Sequence, residues 1–143
     1  MKEVEYLRSI LKKLMLYLGL DEASSTIYST LAVSEKPLTI KEIIDRTNYS
    51  IARIYASLGI LIKEDLVEKL RENGSVKFVA NINFINVFEN RRKEIMENFL
   101  KPLINFKYSE KTEPIDEILR YAKKIYEYFQ SVNEKSEELK KGR

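Results

Sequence analysis

Thr47-Asn48-Tyr49-Ser50 and Leu66-Val67-Glu68-Lys69-Leu70-Arg71-Glu72-Asn73-Gly74-Ser75-Val76-Lys77-Phe78-Val79 bracket the stretch, residues 47 to 81, whose reading decides the fold. Between them Ile54, Leu58 and Leu61 recur at i, i+4 and i+7, the spacing that lines one side of a helix. Ser50 stands where an N-cap belongs, and Thr47-Asn48-Tyr49 supplies a polar turn before it. Beyond the helix, two segments of alternating polarity flank Asn73-Gly74, the pair best suited to a two-residue turn whose central residues both need positive φ. The stretch reads as a helix running directly into a charged hairpin.

Working toward the N-terminus, Thr39-Ile40-Lys41-Glu42 is a capping box that opens a short helix buried through Ile40, Ile43 and Ile44. Asp21 caps an earlier helix carrying Ile27, Tyr28 and Leu31, which stops before Pro37. Val4, Leu7, Leu11, Leu14 and Leu18 mark a first helix from about residue 3 to 18, ended by Gly19. Two short helices joined by a turn and followed by a hairpin form a winged helix-turn-helix, so nucleic acid leads as the partner. The fold class expected is mostly α with a small β-hairpin wing. Residues 1–19 form an N-terminal packing or dimerisation helix, 20–82 the winged domain, and 83–143 coiled-coil-like dimerisation helices.

The C-terminal part has the most regular pattern. Phe84, Phe88, Ile95, Phe99 and Leu103 mark a long helix that Pro102 terminates or kinks. Ile115, Ile118, Ala122, Ile125, Phe129, Val132, Ser136 and Leu139 then alternate steps of three and four, a heptad seam that needs a partner helix. That partner is either the chain's own first or fifth helix or a second copy. The dimer reading assigns Leu7, Leu11, Leu14, Ile115, Ile118, Ala122, Ile125, Phe129 and Val132 to the contact. It also explains why amphipathic helices remain beyond the ~60 residues a winged module needs.

Composition narrows the functional classes. With 44% hydrophobic and 33% charged residues, the 143-residue chain can bury a core. It has no Cys and no His, hence no disulfide, no thiolate or imidazole metal site, and no ready general base near neutral pH. Its four glycines, at 19, 59, 74 and 142, form no phosphate-cradling loop. No enzyme, metal or cofactor is expected. The charged start Met1-Lys2-Glu3-Val4-Glu5 is unlike a signal peptide, and no uncharged run approaches the ~20 residues of a membrane span. A cytoplasmic protein is expected. The net charge of +3 is unevenly spread: +2 over residues 1–20, −1 over 21–81 and +2 over 82–143.

On the central helix the outward set is Arg53, Ala56, Ile60 and Lys63, with Ala52 and Ser57 beside them. Arg53 suits a bidentate contact to guanine O6 and N7, or is a solvated surface arginine. Ser50, Ile51, Ala52 and Ser57 belong to the same candidate face, whose small residues either permit close approach to a groove or are neutral surface. Tyr55 either reaches a phosphate or packs in the core. Lys69, Arg71 and Lys77, with Asn73 at the tip, project from the face opposite the core, or from the rim, and suit phosphate contacts, or form a lysine-rich edge that blocks strand pairing. Lys41 and Arg46 either reach the backbone or lie on a solvated face. Arg91-Arg92-Lys93 reads as an exposed basic run and Lys140-Lys141-Gly142-Arg143 as a basic tail. A protein-binding winged helix using Ile51, Ile60 and Ile62, and a sequence-nonspecific architectural DNA binder, are the rival readings. No feature identifies an effector.

Leu18-Gly19-Leu20-Asp21-Glu22 with Ile27-Tyr28, and Ser50-Ile51-Ala52-Arg53-Ile54-Tyr55-Ala56-Ser57-Leu58 with Asp65-Leu66-Val67-Glu68, resemble the winged helix-turn-helix of TrmB-like archaeal transcriptional regulators. The resemblance covers roughly residues 18 to 81. The arrangement of one helix before the module and two after it is also similar to MarR-type dimeric regulators, whose flanking helices form the dimer. The resemblance implies a DNA-binding transcription regulator, and together with the seam it leads to the expectation of a homodimer on double-stranded DNA, with the recognition helix in the major groove and the wing along the adjacent backbone or minor groove. Ser50-Ile51-Ala52 stands where the family often has Pro-Arg-Ser, Gly59 where it has Arg, and Asp65 where Gly is usual.

Overall fold

The computed structural model describes residues 2–107, 109 and 112–141. The chain divides into two compact units, Met1–Val87 and Phe88–Arg143. In the first, the helices are α1 (Lys2–Tyr17), α2 (Glu22–Ala32), α3 (Ile40–Thr47) and α4 (Ile51–Lys63), followed by strands β1 (Val67–Glu72) and β2 (Ser75–Ala80). α5 (Ile85–Ile95) begins here and continues past the division.

The capping residues do what their positions demand. Asp21 accepts from the Ser24 amide at 2.8 Å. Thr39 and Glu42 complete the capping box, Thr39 Oγ1 accepting from the Glu42 amide and the Glu42 carboxylate from the Thr39 amide. Held first by that amide and then by the Lys36 ammonium, the Glu42 carboxyl titrates at about 2. The core joins Ile27, Tyr28, Leu38, Ile43, Ile54 and Leu61, all fully buried. α2 is buried almost all round, and most of its small polar residues are satisfied locally, Ser29 Oγ and Thr30 Oγ1 both donating to the Thr26 carbonyl, while the buried Ser25 hydroxyl has no partner among the described residues. Burial pushes the Tyr28 phenol well above its ordinary range, and its hydroxyl donates to the Asn81 carbonyl at 2.7 Å. Asn81 in turn donates to Asp65 and Leu66 carbonyls, tying α2 and the end of α4 to the foot of the hairpin.

The first helix departs from expectation. Met15, outside the predicted stripe, is its fully buried residue; Leu11, Leu14 and Leu18 pack partly against the core, and Val4 and Leu7 are exposed. Only the C-terminal half of α1 rests on the module, and there the contact centres one position past Leu14. The hairpin also has a short third member that alternation did not predict: Leu38 and Phe78 exchange both backbone hydrogen bonds, at 2.9 and 2.8 Å.

The second unit contains the rest of α5, a π-helical turn (Met96–Leu100), α6 (Lys101–Asn105), α7 (Glu113–Ser131) and α8 (Asn133–Lys141). Pro102 does not terminate the helix. It lacks an amide hydrogen and its ring crowds the carbonyl four residues back, so the preceding turn widens and the Lys101 amide donates to the Met96 carbonyl. Arg92, read in sequence as part of an exposed run, is 9% exposed and pairs with buried Glu89. Its guanidinium also donates to the Phe129 carbonyl and to Asn133 Oδ1. That capture coincides with a break at Val132, where the expected continuous seam divides into α7 and α8.

The seam is also two-sided. Ala122 is buried against Met96 and Leu100, with Tyr126 and half-buried Phe129 beside it, so Ala122 is withdrawn from the dimer contact assigned to it. Ile115 and Val132 are likewise half-buried. Ile118 (55% exposed), Tyr121 (54%), Ile125 (44%) and Tyr128 (65%) instead form an outward stripe at steps of three, four and three. A groove of about 510 Å³ runs along it, floored by Leu100, Leu103 and Pro114. Gly142 and Arg143 lie outside the described residues.

Candidate nucleic-acid interface

The turn before α4 is set by local chemistry. Asn48 closes α3 with φ 61°, a left-handed conformation its side chain tolerates, and its amide returns to the Ile44 carbonyl. Ser50 then caps α4, its Oγ accepting from the Arg53 amide at 3.2 Å. With Ile54, Leu58 and Leu61 packed inward, the opposite side of α4 is left to solvent: Ile51, Ala52, Arg53, Tyr55, Ala56, Gly59, Ile60 and Lys63 are all exposed.

One assignment changes, and one of two alternatives falls away. Ser57 is 3% exposed and faces the core, because it lies three residues after Ile54 and four before Leu61; it cannot reach a ligand on the outer face. Tyr55 is 56% exposed, so its place is on the surface. Arg53 is steadied in a way the sequence reading did not anticipate: its guanidinium lies over the Tyr49 ring, 5.6 Å from the centroid. Tyr49 is itself half-buried, with its hydroxyl toward Thr26 Oγ1. The four-residue spacing of Tyr49 and Arg53 across the Ser50 cap was the available clue. The Asp21 carboxyl, held below its usual range chiefly by the Ser24 amide, also feels the Arg53 charge. Lys41 and Arg46 are exposed on α3.

At the wing tip Asn73 (φ 50°) and Gly74 (φ 78°) both take positive φ, the geometry their sequence foretells. Asp65, at φ 60°, occupies the left-handed region at a place where glycine would fit without strain. The register pairs Lys69 with Phe78, Arg71 with Val76 and Leu70 with Lys77. Directly opposed residues share a sheet face, so Lys69 and Arg71 lie on the face of Phe78, the core side, while Lys77 lies on the other with Glu68 and Glu72. Of the two places the alternation allowed, Lys77 takes the face opposite the core, and Lys69 and Arg71 do not. Lys69 and Arg71 are exposed nonetheless, because the distal half of β1 runs past the core. The wing thus has one purely cationic face near its tip and one of mixed charge.

Among the described residues no helix is long and apolar enough to cross a membrane. No curated protein matches the sequence. A crystal structure described as that of a transcriptional regulator superimposes with a TM-score of 0.66 over 97% of this chain and 97% of that one, at 13% identity, a likeness of fold. Residues 14–84 match the family model described as the sugar-specific transcriptional regulator TrmB, a span that takes in the end of α1, the helix-turn-helix and the whole wing. Residues 14–84 are therefore a transcriptional-regulator domain of the TrmB type, which implies DNA-binding regulation.

Proposed function

We propose that the chain acts as a cytoplasmic, non-catalytic homodimer that places α4 of each protomer in a major groove of double-stranded DNA and the Lys69–Arg71 face of each wing along the neighbouring phosphates. The observation that carries this reading is the outer side of α4, free of packing, begun by a capped turn and headed by an Arg53 pre-oriented on Tyr49. Arg53 is the candidate base reader; Lys41, Arg46, Lys69, Arg71 and Lys77 are candidate phosphate contacts, with Ser50 and Asn73 shaping the backbone that presents them. Support for the dimer comes from the outward stripe of α7. Four large side chains, with ~100 Å² exposed on each, bring a contact within reach of the roughly 800 Å² per partner typical of stable complexes once the groove residues are added.

Binding titrations over a salt series test the reading. With roughly three phosphates neutralised per protomer, the logarithmic salt slope is expected near −5. Arg53→Ala is expected to cost about 1–3 kcal/mol of specific binding. Absence of duplex binding at low ionic strength would instead favour a protein partner for exposed Ile51, Ile60 and Ile62.

A further inference from the structure

The outer side of α4 is poor in hydrogen-bonding groups. From Ser50 to Lys63 there is no Asn, Gln, Asp or Glu, and a single Arg. The Ser50 hydroxyl oxygen is engaged by the Arg53 amide, and Ser57 is buried. In the first two turns the Arg53 guanidinium and the Tyr55 hydroxyl, with the Ser50 O–H as one further donor at the cap, remain to exchange hydrogen bonds with base edges. The other exposed groups there are aliphatic: Ile51, 54% exposed, with Ala52 and Ala56. Covering donors and acceptors of a base pair with such groups leaves them unpaired and unhydrated, which is costly. The apolar feature a major groove offers in return is the C5-methyl group of thymine. At Gly59, on the same outer side, a Cβ would meet no other described part of the protein within 4 Å, so nothing covers the helix there.

We infer that this domain recognises a thymine-rich half-site by its methyl groups. Ile51, Ala52 and Ala56 pack on thymine C5-methyls, and Arg53 contributes one bidentate contact to a guanine at the edge of the tract. The inference rests on the DNA-binding reading above and names the chemistry of the sequence read.

The test uses the full chain and a duplex recovered from a random-sequence pool by binding. Replacing every thymine of the recovered site with deoxyuridine removes the methyl groups and leaves base pairing intact. Each methyl buried is worth about fourfold in affinity, so three contacts per half-site predict a loss of more than tenfold. Ile51→Ala is expected to weaken binding to the thymine duplex by a larger factor than binding to the deoxyuridine duplex. A general change in duplex stiffness would instead affect both proteins alike. Equal affinity for the two duplexes overturns the inference while leaving DNA binding intact, as does a larger loss on replacing guanine by 7-deazaguanine than on replacing all thymines. Failure to recover any duplex overturns the DNA-binding reading, and this inference with it.

Discussion

Glu89 and Arg92 show how far a single pair departs from its surroundings in sequence. The run Glu89-Asn90-Arg91-Arg92-Lys93-Glu94 looks like solvated helix, yet Glu89 and Arg92 sit one turn apart on the side that packs, with Met96 and Leu100 continuing their line. The guanidinium finds three partners, the Glu89 carboxylate, the Phe129 carbonyl and Asn133 Oδ1, so the buried charge is fully used. Held chiefly by the Arg92 hydrogen bonds, the Glu89 carboxyl titrates at about 2. A lowered folded value means that the unfolded chain takes up this proton first. The stabilisation is therefore complete above about pH 4.5 and is lost as pH falls toward 2. Glu89→Gln, which leaves Arg92 buried without its counter-charge, is expected to cost roughly 3 kcal/mol at neutral pH and to shrink the mutant's deficit in acid. Urea unfolding at pH 7 and pH 3 checks both; a deficit that does not shrink at low pH would refute the electrostatic account.

In the elements, α4 combines two demands that a single substitution separates. Gly59 lies in mid-helix on the outer face with open space around it, so a methyl group there meets nothing in the free protein. Gly59→Ala is expected to raise stability by about 0.5–1 kcal/mol through helix propensity. If the helix seats deeply in a groove, the same substitution weakens DNA binding, and thermal melts set beside binding titrations read the two effects independently. A variant both more stable and equally tight would assign Gly59 to neutral surface. α4 and the hairpin were legible in sequence because caps, turn pair and apolar spacing are short-range and agree with one another. The faces were less so. Ser57 was misplaced because a wheel treats all positions beside the outward set alike, whereas packing between Ile54 and Leu61 decides the matter. The wing cations were left between face and rim because their side depends on register across the Asn73-Gly74 turn. Met15 and the π-turn lay beyond periodicity altogether, being fixed by which part of α1 meets the module and by the geometry Pro102 forces.

For the whole molecule the question is how a module of net charge −1 holds a polyanion. Each copy offers few cations and one pre-oriented arginine, an inventory suited to weak binding. Joining two copies turns the second engagement into an intramolecular step and multiplies affinity without adding a contact. The heptad reading assigned the proposed joining surface to α7 but merged two stripes: one side, with Ala122 and Phe129, is occupied within the unit, and the outward side carries Ile118, Tyr121, Ile125 and Tyr128. A charge placed at Phe129 would therefore damage the fold as well as any dimer. Ile118→Asp with Ile125→Asp confines the damage to exposed positions. The double variant is expected to sediment as a monomer, to retain its helical circular dichroism, and to lose about 100-fold in affinity for a two-half-site duplex while binding a single half-site as the wild type does. Wild-type chain sedimenting as a monomer at micromolar concentration, yet binding the paired site tightly, would remove the dimer from the mechanism and leave one module to carry the affinity alone.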